Sequence, residues 1–396
     1  MTTTADHIPA GPARRAPGPD TAQGTYTVAA PDAGSDAGPD TDTGPDTVAV
    51  PGTNTDAAPD AGSDAGPDTD TGSSPAPGPE TGPARDRRPY AWTWRQGRAT
   101  AALAVVTASL LLFHAHVPNA VGNLGSLLET FLPWTAALVA VLAAVALVRR
   151  SATALVAVLL PALAWVWVFG GMLTDKRAAG GDLTVVTHNV NDANPDPQGT
   201  ARALAASGAA VLALEELSPA TTPRYESALA GTYPYRTVQG TVALWSKYPL
   251  RDARPVAIMP WTRALRATVD TPKGPLAVYV AHLASVRVRL DSGFTTGQRD
   301  EAARLLADAL REERLPRTVL VGDFNGTTDD AALTPVTSRM RSVQDTAGQA
   351  FGFSWPAAFP MARIDQILVK GVEPASAWTL PATGSDHLPV AAALRL

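Results

Sequence analysis

The chain has no cysteine in its 396 residues. That absence excludes disulfides and cysteine-ligated metals, and it leaves an oxidising compartment open. Several motifs are missing too. There is no P-loop, no Gly-rich dinucleotide fingerprint and no G-x-S-x-G elbow. A Ser–His–Asp hydrolase is therefore a poor second choice, although Ser385 adjoins Asp386. Basic residues form no dense cluster either. The arginines of "TRALRATVD" and "SVRVRL" are scattered, whereas a nuclease needs a basic groove with stacking aromatics.

The net charge of −5 hides an asymmetry. Residues 1–84 hold thirteen acidic and two basic residues, leaving 30 basic against 24 acidic in the remainder. This acidic tail is built from Pro, Gly, Asp and Thr, and the stretch "AAPDAGSDAGPDTDTG" from Ala29 to Gly44 recurs identically from Ala57 to Gly72. With few apolar side chains it has no burial to offset its conformational entropy, and it offers no face for a stacked solenoid. Residues 1–89 are expected to be a disordered tether or hydrated screen.

From residue 98 to 175 the composition reverses. Three uncharged apolar runs follow, "ATAALAVVTASLLLFHAHV" (99–117), "FLPWTAALVAVLAAVALV" (131–148) and "ATALVAVLLPALAWVWVFGGML" (152–173). Each approaches the ~20 residues that cross a hydrocarbon core, so a three-helix transmembrane anchor is expected. Cations flank the runs: Arg87, Arg88, Arg95 and Arg98 before the first, Arg149 and Arg150 between the second and third, Lys176 and Arg177 after the last. The positive-inside rule then puts the tail and the Arg149–Arg150 turn in the cytoplasm and everything after residue 175 outside. His114 and His116 are expected at the outer interface, and Trp165 and Trp167 as interfacial anchors.

Residues 181–396 alternate strand-like and helix-like runs, which predicts one large α/β domain. "DLTVVTHNV", "AAVLALEEL", "VALWSKYPL", "LRATVD", "PLAVYVAHLA", "TVLVGDFN", "IDQILVKG" and "VAAALRL" read as strands, "GTARALAASG" and "RDEAARLLADALREERL" as helices. Polar residues mark the strand ends: His188 and Asn189, Glu215 and Glu216, His282, Asp323 and Asn325, Asp365, then Asp386 and His387. All three histidines of this region fall at those ends. One polar strand end is ordinarily a solvated edge or a cap. Six of them in one layered domain predict convergence on one cleft. Carboxylates and amides without cysteine suit a hard cation such as Mg²⁺ or Mn²⁺, and histidines beside it suit phosphoryl oxygens. The set predicts metal-assisted hydrolysis of a phosphate ester or anhydride.

At these residues the chain resembles the endonuclease/exonuclease/phosphatase superfamily. The resemblance rests on Asn189 in the first strand, "LEE" with Glu216, "HL" with His282, "GDFN" with Asp323 and Asn325, "RID" with Asp365, and "SDH" with Asp386 and His387. It implies a four-layer α/β/β/α sandwich of two mixed sheets packed face to face. It also implies Glu216 as the metal carboxylate, with Asn189 and Asp386 near the metal. Asp323 would orient or deprotonate water, Asn325 and His282 would hold phosphate oxygens, and His387 paired with Asp365 would be the second acid/base. Glu215 stands where that family often has Gln, and strand alternation is expected to point it away from Glu216. The apolar runs together with "FSWPAAFPMARIDQI" (353–367) look like the VanJ-type membrane proteins linked with teicoplanin resistance. That likeness implies a membrane lipid surface and a lipid-linked phosphate substrate such as a polyprenyl pyrophosphate. The alternatives are an exported nuclease, a phospholipid phosphodiesterase, or a non-catalytic envelope resistance factor.

Overall fold

A computed structural model describes residues 97–120, 122–289 and 293–396. The tail of residues 1–89, with Arg87, Arg88 and Arg95, lies outside the described residues.

In chain order the strands begin β1 (Leu183–Asn189), β2 (Val211–Glu215), β3 (Tyr235–Gln239), β4 (Val242–Ser246), β5 (Leu250–Pro255), β6 (Ala264–Thr271) and β7 (Gly274–Ala281). They continue with β8 (Arg287–Arg289), β9 (Gly293–Thr295), β10 (Thr318–Asp323), β11 (Arg341–Ser342), β12 (Asp365–Lys370), β13 (Glu373–Thr379) and β14 (Val390–Arg395). One sheet has the order β13-β14-β1-β2-β4-β3 and the other β11-β12-β10-β7-β6-β5, while β8 and β9 form a small ribbon. Both large sheets are mixed. Each has one parallel pair, β1 with β2 and β10 with β7, flanked by antiparallel partners.

The sheets face each other across Val185, Val211 and Leu244 on one side and Val278, Val319 and Ile367 on the other, all buried. Burying each such side chain contributes roughly 1.5–3 kcal/mol. Ahead of the sandwich run helices α1 (Arg98–Leu112), α2 (Leu124–Thr130), α3 (Thr135–Val148) and α4 (Ala152–Phe169). Within it, α5 (Pro197–Ala206) and α6 (Thr222–Leu229) pack Leu204, Tyr225 and Leu229 on the outer face of the first sheet. Helix α7 (Gly297–Glu312) covers the second sheet with Ala303, Leu306 and Leu310. The result is the expected α/β sandwich.

The connectivity explains why the marked strand ends meet. The parallel pairs send the C-terminal ends of β1, β2, β7 and β10 to one rim, and antiparallel β12 and β14 start there. Asp365 opposes Asp323 in the register, and Val390 opposes Thr187. Gly322 serves this packing. Its φ is 136°, and a Cβ there would lie 2.0 Å from the Ala281 carbonyl oxygen on β7. "VALWSKYPL", expected as one strand, divides at Lys247–Pro249 into β4 and β5, which belong to different sheets.

Only part of the expected anchor has spanning length. Ala152–Leu173 is an uncharged, largely apolar helical stretch of 22 residues. Helix α1 has 15 residues, because the first run leaves the helix at Phe113 and His114–His116 make a 3₁₀ turn. The second run opens with a 3₁₀ turn at Leu132–Trp134, and α2, which precedes the run, meets Leu132–Val148 at 69°. Among the described residues one helix is long and apolar enough to cross a membrane, or two if the bent pair counts as one.

Helices α1, α3 and α4 pack on one another through Ala104, Leu142 and Val158. Their outward side chains are aliphatic nonetheless: Val106, Val141, Leu160 and Leu163 are exposed. At one end of the bundle Gly97 abuts Ser151, placing Arg98 beside the Arg149–Arg150 turn. At the other end the bundle joins the sandwich. Trp134 Nε1 donates to the Met361 carbonyl at 2.9 Å, and Phe351 packs on Trp165 and Phe169. Trp165 thus belongs to this seam and not to an outer belt, whereas Trp167 is exposed.

Candidate active site

The residues singled out at strand ends come together on the shared rim, except that His188 lies on the outer face of β1. Asn189 ends β1, and its Nδ2 donates to Asp323 Oδ2 at 3.0 Å. Asn325 holds the same carboxylate twice, from its backbone N to Oδ1 at 2.8 Å and from Nδ2 to Oδ2 at 3.1 Å. Asp323 is therefore oriented by three donors before any substrate arrives. His387 faces it from the start of β14, with Nδ1 2.8 Å from Asp365 Oδ2 and Nε2 3.9 Å from Asp323 Oδ2. His282 follows β7, and its Nε2 lies 3.5 Å from Glu216 Oε1 and 3.6 Å from Asp323 Oδ2. Asp386 Oδ1 accepts from Asn191 Nδ2 at 2.8 Å.

Three non-glycine residues on this rim have left-handed backbone: Asn191 (φ 59°), Glu216 (φ 60°) and Asn325 (φ 48°). Asparagine tolerates that region, whereas glutamate is rarely found there. The strain at Glu216 turns it out of the β2 alternation. Glu215 therefore remains on the face of β2 that looks between the sheets, beneath Asp323 and Asp365, and it does not point away from the site. It is fully buried, accepts from Thr187 Oγ1 at 2.8 Å, and its Oε2 has no partner among the described residues. Burial raises its pKa well above the ordinary carboxylate value, and the nearby Asp365 and Asp323 push the same way. Burial thus favours the neutral form of Glu215, which is similar in shape and polarity to the Gln that the family often has at that place.

The electrostatics separate the remaining groups. Burial would lower the pKa of His387, but the Asp365, Asp323 and Asp386 carboxylates raise it to about 10. His282 is held neutral by burial, with Arg263 and His387 adding to the effect. Burial pushes the Asp323 carboxyl up, while the His387 imidazolium pulls it back. His188 stays outside the site. It lies on the opposite face of β1, burial lowers its pKa to about 3, and its Nε2 meets Thr383 Oγ1 at 2.9 Å. Ser385 is a brace: its hydroxyl donates to the Asn189 carbonyl at 2.7 Å and accepts from the His387 N–H at 3.1 Å.

Glu216, Asp323, Asn325, Asp386 and His387 open onto one cavity of about 430 Å³. Leu127, Phe131, Trp355 and Ile364 add apolar lining to it. Two donor sets adjoin the cavity. Asp323, Asp365 and His387 offer ligand atoms within 4.8 Å of one another. Asp365 and His387 are already committed to each other, however, and a cation among them would displace the imidazolium. The Glu216 and Asp386 carboxylates, with the Asn189 amide nearby, form the second set. Glu216 and Asp386 line the cavity, and the Asn189 Oδ1, which accepts from the Asn191 N–H at 3.0 Å, lies behind them; these are the hard oxygen donors that Mg²⁺ or Mn²⁺ favours.

Two residues of the site escaped the sequence reading. Arg263 precedes β6, hydrogen-bonds His282 Nε2 through Nη2, and donates from Nε to the His282 carbonyl at 3.1 Å. Asn191 lies two residues beyond β1. Neither has a pattern of its own. Arg263 is brought to His282 by the β6–β7 register, in which Ala264 opposes Ala281.

None of the curated proteins matches the chain. Several solved structures are similar to the sandwich. A mannosyl-6-phosphatase from Bacteroides thetaiotaomicron is 16% identical over 54% of this chain and 100% of its own, with a TM-score of 0.47. D. rerio TDP2 complexed with single strand DNA product is 17% identical over 54% of this chain and 99% of its own, with a TM-score of 0.46. An endonuclease/exonuclease/phosphatase from Bacteroides vulgatus is 17% identical over 55% of this chain and 100% of its own, with a TM-score of 0.47. Residues 186–387, from the middle of β1 to the imidazole opposite Asp365, match the model of the endonuclease/exonuclease/phosphatase family, and the chain belongs to that family.

Proposed function

We propose that the chain is a membrane-anchored, metal-dependent phosphohydrolase of the cell envelope. Its substrate would be a phosphate ester or anhydride on a lipid carrier, of the polyprenyl pyrophosphate type. The observation that carries this reading is the pairing of an oriented, buried Asp323 with a His387–Asp365 couple across one cavity from Glu216 and Asp386.

In this reading Asp323 accepts a proton from water as the water oxygen attacks phosphorus. The bond from phosphorus to the leaving oxygen breaks on the opposite side. Protonated His387 offsets charge on the phosphoryl group and gives a proton to the leaving oxygen. Asp365 keeps that imidazole oriented and charged. Asn325 Nδ2 is engaged by Asp323 and the Leu283 carbonyl, so of these groups Arg263, which holds His282, would offer the donor to the equatorial oxygens. A divalent cation on Glu216 and Asp386, beside Asn189, would supply Lewis-acid charge at the phosphate.

The membrane assignment rests on aliphatic surface. Helices with exposed Val and Leu on several sides need an apolar surrounding. Residues 98–175 would form the anchor and residues 181–396 the catalytic domain. Arg98, Arg149 and Arg150 at one end of the bundle, with the sandwich at the other, agree with a cytoplasmic tail and an extracytoplasmic active site. In a VanJ-type role, hydrolysis of an envelope intermediate would underlie glycopeptide tolerance.

The test is product analysis with full-length protein in lipid nanodiscs. Polyprenyl pyrophosphate, phospholipid and DNA are each offered with Mg²⁺ and again with EDTA. Release of orthophosphate from the polyprenyl substrate, abolished by EDTA and restored by Mg²⁺ or Mn²⁺, is expected. Cleavage of DNA alone, falling steeply with salt, would replace this reading with a nuclease.

A further inference from the structure

We infer that α2 is a substrate-binding element of the active site, forming a subsite for the apolar chain of a phosphate-bearing amphiphile. The inference rests on the phosphohydrolase reading and specifies which end of the substrate meets which wall.

Leu124 and Leu127 of α2 and the C-cap residue Phe131 follow one another at spacings of three and four, a single stripe. The inner end of the stripe, Leu127 and Phe131, lines the same cavity as Asp386 and His387. The outer end, Leu124, is 52% exposed and lies on the same connector as Phe113, which is 60% exposed. Apolar side chains thus stand at both ends of the stripe, in the cavity and at the exposed surface. A water-soluble phosphate has no use for such a wall, whereas an alkyl or prenyl chain gains roughly 0.8 kcal/mol for each methylene it buries.

The opposite face of α2 is fixed in place. Ser126 and Glu129 are both buried. Glu129 Oε2 accepts from the Ala331 N–H at 3.0 Å, and Thr327 Oγ1 donates to the Glu129 carbonyl at 3.3 Å. Fully buried Arg299 reaches Ser126 Oγ at 3.3 Å, pairs with Asp330 at 2.7 Å, and donates to the Asn325 carbonyl at 3.1 Å. One guanidinium therefore ties α2 to the loop carrying a cavity-lining residue. The stripe is a built wall of the pocket.

The experiment compares wild type with Leu127→Gln and Phe131→Gln in full-length protein in nanodiscs of one composition. Dodecyl phosphate and phenyl phosphate serve as substrates, dodecylphosphonate and methylphosphonate as non-hydrolysable ligands. Chain partitioning into lipid is the same for all proteins and cancels. Each variant should lower kcat/KM on dodecyl phosphate by about tenfold, which is about two methylenes of lost burial, and on phenyl phosphate by less than about twofold. Both should erase the preference of wild type for dodecylphosphonate over methylphosphonate. An equal loss on both substrates, or an undiminished preference, would overturn the subsite. If wild type hydrolyses neither ester, the phosphohydrolase reading fails by itself, and the phosphonate preference still decides whether α2 binds the chain.

Discussion

Replacing Asp365 with Asn should change the charge of His387 while leaving its shape and hydrogen bond in place. The amide oxygen can accept from Nδ1 as the carboxylate does across 2.8 Å. What disappears is the negative charge that contributes most to raising the imidazole against its burial, to about 10. Without that charge the pKa falls, because only Asp323 and Asp386 remain to raise it against burial. The imidazolium is then lost at a lower pH than in wild type. If the charged ring is required, the D365N defect grows as pH rises from 6 to 8, by up to about tenfold for each pH unit above the new pKa. The assay is phosphate release across that range, with ¹³C-labelled histidine NMR following the ring, assigned by difference from H387Q. A defect of equal size at both pH values, or an imidazole still charged at pH 8 in D365N, would refute the role given to this couple.

Other outcomes follow from the same geometry. E215Q should keep full activity, because Gln replaces a carboxyl whose neutral form burial favours. Disfavouring the ionised form in the fold costs stability as pH rises above the unfolded value of about 4.3, so the gain in thermal midpoint from E215Q should grow as pH rises from there. E313Q leaves buried Arg266 without the carboxylate 2.9 Å from its Nε and should cost about 3 kcal/mol in denaturant unfolding. In wild type burial raises Glu313, but the bonds from Arg266, the Leu315 N–H and Tyr279 hold it down to about 2. That pair's contribution is present above the unfolded value near 4.3 and is lost as pH falls toward 2, which acid unfolding of wild type against E313Q would detect. G322A drives a methyl into the Ala281 carbonyl and should lower the yield of folded protein sharply, by about 3 kcal/mol or more.

Much of the site could be read from strand ends, because the layered fold converts sequence position into position on the rim. Asn189, Glu216, His282, Asp323 and Asp386 all sit beside apolar β-rich runs, and each run became a strand or its immediate edge. Less visible were elements whose sequences carry weak local signals. β3 ("YRTVQ") is a polar edge strand, β13 ("EPASAWT") contains Pro374, and α6 spans only 8 residues. Arg263 and the orientation of Glu215 depend on cross-strand register and on a positive φ at Glu216, which no periodicity encodes. The split of "VALWSKYPL" between two sheets is a tertiary outcome of the same kind. The apolar runs were legible as helices, but their lengths were not. His114–His116 end the first and a 3₁₀ turn at Leu132–Trp134 opens the second, while the segment between them, outside every run, forms α2 and lines the cavity.

The most direct measurement is orthophosphate release by wild type and D323N, full-length and Mg²⁺-loaded, on one polyprenyl pyrophosphate at pH 8. Hydrolysis by wild type with a loss of about 10²-fold or more in D323N is expected if Asp323 takes the proton of the attacking water. Equal rates in the two proteins would contradict that role, and no release by wild type would contradict the assignment as a lipid phosphohydrolase.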